Sequence, residues 1–270
     1  MIDSISRGRT SSRLRRFAPI FAAVSVAAAL VAGCSSSSDD TGTTTAAPPA
    51  QLPDGAQIVA ECARTTQTLQ WVHFNLSVSN VPNLPVETIS ADVTNQPQGA
   101  GQAIGDAKVR LKPEAEFTDT KFLVYDKTLY AGDGTKYSKV GPAEQIYDPG
   151  VILDKDKGLA NVIAQIQNPK AEAREKIDGI DTVKISGTIN GSVIDPVVPK
   201  AGDGVGSLPI TVWIKDVAPP TGTTSTLPSE AASPGTGPNL VKAVVTKDSG
   251  TISVVLSNWA KEFTVPKVGG

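Results

Sequence analysis

The sequence predicts an α+β fold built on one large antiparallel sheet. Three observations carry that expectation. Stretches of about eight to ten residues alternate apolar and polar side chains, the period of a strand with one buried face. These stretches follow one another across short turns, which join antiparallel neighbours. The helical patterns do not alternate with the strands, as they would in a parallel sheet. They fall in two groups, one before the strands and one in their middle.

The chain opens with Arg7, Arg9, Arg13, Arg15 and Arg16 against a single Asp3, and Ala18 to Ala32 is almost wholly apolar. A basic start, an apolar run of ~7–15 residues and a small-residue cut site make a secretory signal. The run is shorter than the ~20 residues of a comfortable bilayer span. It ends in Val31-Ala32-Gly33-Cys34. A cysteine directly after two small residues looks like a bacterial lipoprotein signal. On that reading residues 1–33 are removed, and Cys34 carries lipid on its sulfur and on its new amino terminus. Arg15-Arg16 matches a twin-arginine signal poorly in its flanks. Residues 34–53, rich in Ser, Thr, Ala and Pro, then read as a lipidated, disordered tether.

Loss of residues 1–33 removes five of the 25 Lys and Arg and one of the 27 Asp and Glu, so the net charge moves from −2 to about −6. With no basic cluster left, nucleic acid is excluded as a partner. Of the two cysteines Cys34 is committed to lipid, so Cys62 has no intrachain partner and reads as a buried core thiol.

Asp54 opens a helix with Ile58, Cys62, Thr65 and Leu69 on one face. Trp71 starts the first strand, with Val72, Phe74, Leu76 and Val78 on one side and His73, Asn75, Ser77 and Ser79 on the other. Ile89, Ala91 and Val93 repeat the pattern, as do Ala107, Val109 and Leu111. A run from Phe117 to Tyr125 and short strands around Leu129 and Tyr137 complete a meander. Asp148-Pro149 is a helix start with Pro at the first position, followed by Val151, Ile152 and Leu153. A second helix carries Leu159, Val162, Ile163 and Ile166. Asp178-Gly179 is a hairpin turn between a strand ending at Ile177 and one from Thr182 to Ile189. A short helix over Ser192–Val197 and a strand over Leu208–Lys215 follow. Val217–Pro238, rich in Pro, Gly, Ser and Thr, reads as a mobile surface loop. A hairpin of Leu240–Lys247 and Thr251–Asn258 closes a single domain of residues 54–267.

Little here supports catalysis. His73 is the only histidine, and it falls on the polar side of its strand. A Ser-His-Asp centre would have to use it, and there is no G-x-S-x-G elbow. A solvated or hydrogen-bonded strand histidine is the plainer reading. One His and one spare Cys cannot make a zinc site, and Asp154-x-Asp156 lacks the rest of a calcium loop. Gly99-Ala100-Gly101 is a turn rather than a phosphate cradle, and Asp178 and Asp181 shape a hairpin. No cofactor or metal is expected, and the chain reads as a non-enzyme.

Two segments carry a family resemblance. The run Ala91-Asp92-Val93-Thr94-Asn95-Gln96-Pro97-Gln98-Gly99 and the run from Val140 to Lys155 are similar to the mycobacterial LppX/LprAFG lipoproteins. Ile177-Asp178-Gly179, Lys184 to Ile189, Thr211-Val212-Trp213-Ile214 and Ser257-Asn258-Trp259 continue the match over nearly all of residues 55–266. The resemblance implies a strongly curved antiparallel sheet, a half-barrel, with helices covering its concave side around an apolar cavity. It is a fold similar to that of carriers that ferry lipoproteins across the bacterial periplasm. It further implies that the cavity takes the acyl chains of lipids or glycolipids, with head groups near its mouth, for movement between the plasma membrane and the outer envelope.

The residue pattern is compatible with that expectation. A ten-residue strand runs ~30 Å, long enough to lie along a full fatty acyl chain, and acyl burial at ~25 cal/mol per Å² needs no polar motif. The apolar alternates Phe74, Leu76, Val78, Ile89, Val93, Val109 and Leu111 are candidate lining residues on the sheet. Ile152, Leu153, Val162, Ile163 and Ile166 are candidates on the covering helices. The expected protein is a carrier of acylated lipids or glycolipids, held through lipidated Cys34 on the outer, periplasmic side of the plasma membrane. Envelope transport or sensor proteins are further candidate partners. The alternative is an interaction module that signals to a membrane sensor, with its binding on the polar strand face or the 217–238 loop.

Overall fold

The computed structural model describes residues 51–110, 112, 114–217 and 236–266. The signal segment, Cys34, nearly all of the tether, Leu111 and most of the 217–238 loop lie outside the described residues.

Eleven strands form one antiparallel sheet: β1 (Trp71–Ser79), β2 (Val86–Thr94), β3 (Gln102–Val109), β4 (Thr118–Tyr125), β5 (Thr128–Gly132), β6 (Tyr137–Pro142), β7 (Gln167–Ile177), β8 (Ile180–Asn190), β9 (Ser207–Lys215), β10 (Leu240–Lys247) and β11 (Gly250–Ser257). Their order across the sheet is β6-β5-β4-β3-β2-β1-β11-β10-β9-β8-β7. The chain starts in the middle, steps outward to β6, crosses to the far edge at β7 and steps back until β11 pairs with β1. Every other neighbour is also consecutive in sequence. The edges β6 and β7 stay apart, so the sheet is curved and open, a half-barrel with its helices on the concave side.

Local chemistry accounts for most element ends. Helix α1 (Gly55–Gln67) is capped by Asp54, whose Oδ1 accepts from the amides of Ala56 and Gln57 at 2.8 and 3.2 Å. Its buried face is Val59, Cys62, Ala63, Thr65 and Thr66. The face is turned one position from the Ile58–Cys62–Thr65 stripe of the sequence, with Val59 buried and Ile58 only half-buried at its edge. The β7–β8 turn places Asp178 at φ 48° and Gly179 at φ 84°, the left-handed pair that a two-residue hairpin needs.

The crossover from β6 to β7 holds three short pieces. Helix α2 (Ala143–Ile146) is too short to leave a periodic signal and was not expected from the sequence. Residues Pro149–Leu153 form a 3-10 helix, with Asp148 Oδ1 accepting from the Gly150 amide at 2.9 Å. Helix α3 (Leu159–Ala164) follows, and Ile166 lies just past its end. Between β8 and β9 stands α4 (Gly191–Ile194), shorter than the Ser192–Val197 expectation because turns take over at Asp195. Its cap Asn190 accepts from the Ser192 amide at 3.0 Å.

Candidate lipid-binding site

Cross-strand register sorts the side chains into rows. On the concave face one row runs Phe74, Ala91, Gly105, Phe122. On one side of it runs Val72, Val93, Ala103, Val124, Leu129, and on the other runs Leu76, Ile89, Ala107, Thr120. Strand β3 therefore gives this face only Ala103, Gly105, Ala107 and Val109. A Cβ on Gly105 would stand 2.2 Å from the Ser90 carbonyl oxygen and 2.7 Å from the Ala91 Cβ, so no larger residue fits there. In the other half the rows are larger: Ile185, Val212, Ala243, Val254 and Val183, Ile214, Leu240.

The helices close over this face. Helix α1 packs on α3, β7 and β9, while the 3-10 helix packs on β2 and β3. Ile166 presses against the sheet at Gly187, where a Cβ would come 2.6 Å from its Cγ2. Burial pushes the Cys62 thiol up to about 12, so it stays protonated as an inert core group. Tyr147 is also raised by burial, and its hydroxyl donates to the Val197 carbonyl at 2.9 Å.

The candidate lining residues that the structure describes all belong to this one apolar cluster. Phe74 and Val93 have no exposed surface, and Ile152 and Ile163 are 1% exposed. Leu76, Ile89, Leu153, Val162 and Ile166 are also buried, while Val78 and Val109 are half-buried at its margin. A side chain bordering open space keeps accessible surface, so in this conformation these residues are packed against one another. Sequence reasoning placed Ala91 and Ala107 on this apolar face but did not single out Ala103 and Gly105 as members of it. Their signal was the alternation Ala103, Gly105, Ala107 in β3, opposite Ala91 of β2.

Two pockets border the cluster. One of about 530 Å³ lies at the end of the sheet, walled by Asn95, Gly99, Gly101, Ile146, Tyr147, Val151 and Pro199, with Glu144, Asp148, Asp154, Asp195 and Lys157 around it. Its Val151 is joined directly to the core residues Ile152 and Leu153. The second, of about 600 Å³, crosses β1 to β5 and is lined by Asn75, Ser77, Thr88, Ser90, Asp106 and Lys121 of the polar face together with Leu76, Ile89, Ala107 and Thr120. His73 also lies on that face, hydrogen-bonded through Nδ1 to Asp92 at 2.8 Å. In the other half of the polar face Trp213 donates to Glu175 at 2.7 Å, which holds the Glu175 carboxyl below its usual range. Lys184 and Lys242 lie over the Trp213 ring at 5.8 and 5.1 Å from its centre. Asp181 pairs with Lys176 beside the hairpin turn. No group of three metal-binding side chains occurs among the described residues.

Comparison with known proteins agrees with this architecture. The sequence profile of the LppX_LprAFG lipoproteins matches residues 54–265. LprF of Mycobacterium tuberculosis, whose name provisionally assigns it as a diacylated glycolipid transporter, is 45% identical over 264 residues. The match covers 98% of this chain and 95% of LprF. The lipoarabinomannan carrier protein LprG of the same species is 34% identical, over 96% of this chain and 98% of its own. The crystal structure of LprF from Mycobacterium bovis superposes with a TM-score of 0.71 at 49% identity, covering 80% of this chain and 97% of that one.

Proposed function

This chain belongs to the LppX_LprAFG lipoprotein family, and from that membership we propose that it is a membrane-anchored carrier of acylated lipids or glycolipids. Cys34 is the lipidated anchor after removal of residues 1–33, residues 34–53 are the tether, and residues 54–267 are the binding domain. The domain stands on the outer side of the plasma membrane and moves its cargo across the envelope. The observation that carries the reading is the continuous apolar layer between the concave sheet face and the helices. It needs no catalytic group to bind an acyl chain, since each buried methylene is worth ~0.8 kcal/mol.

The tight packing sets a condition on the mechanism. Acyl chains enter only if the helical layer lifts from the sheet, exchanging side-chain contacts for acyl contacts. The pocket beside Tyr147 and Val151 is the natural entrance, because there open space meets Val151, next to the core residues Ile152 and Leu153 under the 3-10 helix. The floor under the entering chain is the small-residue strip of β2 and β3.

The test is mass spectrometry of lipid extracted from protein made without residues 1–34 in a mycobacterial host. Bound diacylated lipid is expected, and Ala107→Trp, which fills the strip at a half-buried position, should lower the load several-fold. Extracts free of lipid would overturn the reading. The interaction-module alternative draws support from the same closed packing. Deletion of residues 218–235 separates the two, abolishing function only in the interaction module.

A further inference from the structure

The polar face of the sheet carries a cluster that lipid carriage does not use. His73 on β1 and Asp92 on β2 are direct cross-strand partners, and Ser90 sits opposite Asn75 on the same face. The imidazole bridges the two β2 side chains: Nδ1 is 2.8 Å from Asp92 Oδ1, and Nε2 is 3.4 Å from Ser90 Oγ. A carboxylate on Nδ1 makes that nitrogen the donor, which leaves the Nε2 lone pair facing the serine hydroxyl. This is the connectivity of nucleophile, base and orienting acid, produced by the register of one strand pair. His73 and Asp92 are 25% and 40% exposed, so the cluster is reachable from solvent. Ser90 and Asn75 also line the 600 Å³ groove, beside Ser77, Thr88 and the Asp106–Lys121 ion pair.

We infer that Ser90, His73 and Asp92 form a hydrolytic centre for carboxylic esters of polyhydroxy alcohols, separate from the acyl-binding core. The groove sets the substrate class. Its hydroxyl, amide and paired-charge side chains match vicinal hydroxyl groups, with Leu76, Ile89 and Ala107 also in its lining. Ser90 Oγ attacks the ester carbonyl while its proton passes to His73 Nε2. The carbon–oxygen bond to the alcohol breaks, and the leaving alcohol takes that proton. Water, deprotonated by His73, then cleaves the acyl-Ser90 ester, releasing the carboxylic acid and restoring the hydroxyl. The Asn75 amide, directly across from Ser90, supplies a donor for the oxygen that becomes negative. Asp92 is a positioning residue, acting through the imidazole.

The test uses full-length protein in detergent with a fluorophosphonate probe and with glycerol tributyrate set against ethyl butyrate. Probe adduct on Ser90, mapped by peptide mass spectrometry, is expected, with the polyol ester cleaved faster than the ethyl ester. Ser90→Ala and His73→Gln should each lower turnover by about 100-fold or more with unchanged denaturation midpoints. Asp92→Asn should lower kcat while leaving KM in place, a split that loss of structure does not produce. Wild-type protein that gives no Ser90 adduct, or cleaves glycerol tributyrate no faster than Ser90→Ala, overturns the inference. So does labelling that survives His73→Gln. None of these outcomes depends on whether the core carries lipid.

Discussion

The two halves of the sheet bury their concave faces by different means. Strands β7 to β11 use large branched residues such as Ile185, Ile189, Ile214 and Ile252, each no more than 1% exposed, with α1 packed over β7 and β9. Strands β1 to β6 put alanine and glycine at the centre of the face and leave Val78, Ala107, Val109 and Leu129 only half-buried. One half is a filled hydrophobic core. The other is as fully buried at Phe74, Val93 and Val124, but it thins to small or half-buried residues along β3 and is covered by the 3-10 helix at β2 and β3. Parting the second from its cover exposes less apolar area, so it is the cheaper side on which to admit a guest.

The sharpest test of this contrast is a pair of truncations. Ile185→Ala should cost about 2–5 kcal/mol in denaturant titrations, whereas Val109→Ala should cost less than about 1 kcal/mol. Equal losses would erase the distinction between the halves. Gly187→Val comes next, because its added atoms meet Ile166 and the Gln167 carbonyl. Overpacking of about 1–3 kcal/mol is expected there, together with faster amide exchange in α3. Asp54→Ala removes the α1 cap and should cost about 1 kcal/mol. Because α1 covers the β7–β9 half, that loss should change lipid exchange less than a change in the 3-10 helix does.

The smallest effect is electrostatic. Asp133, in the β5–β6 turn, accepts from the Lys136 amide, the Thr135 hydroxyl and the Thr135 amide, which holds its carboxyl down at about 2 against an ordinary 3.8. A carboxyl depressed by folding stabilises above its ordinary value and loses that contribution as pH falls through the folded one. Exchange of the Thr135 and Lys136 amides, corrected for intrinsic rate, should therefore rise as pH drops from 3.8 towards 2, with β7 to β11 unaffected.

The legible parts of the fold are those written in local chemistry. Alternation marked β1, β2 and β9, Asp54 marked the α1 start, and Asp178-Gly179 marked the hairpin within a residue. Helix α2 escaped because four residues contain barely one turn. Asp148-Pro149 correctly signalled a helix start, yet capping and proline cues do not separate a 3-10 turn from an α-helix. The candidate site was legible only as a set of apolar positions. Packing, not residue type, separates a filled core from a parting surface, and Ile163 and Val109 read alike until their burial is known. The pairing of His73 with Asp92 was likewise hidden, since it depends on a register set by residues 80–85.

The seam between β1 and β11 joins residues 73–79 to residues 251–257, the two ends of the domain. All other strand pairs are neighbours in sequence and need closures no longer than the Lys215–Leu240 connection, whereas this one closes nearly the whole domain. Two half-sheets can therefore assemble early, but each keeps a raw central edge until the last strand arrives. An edge of that kind invites pairing with other chains. The C-terminal hairpin is thus the latch of the fold, and a chain truncated before Gly250 would be left with β1 open along its length.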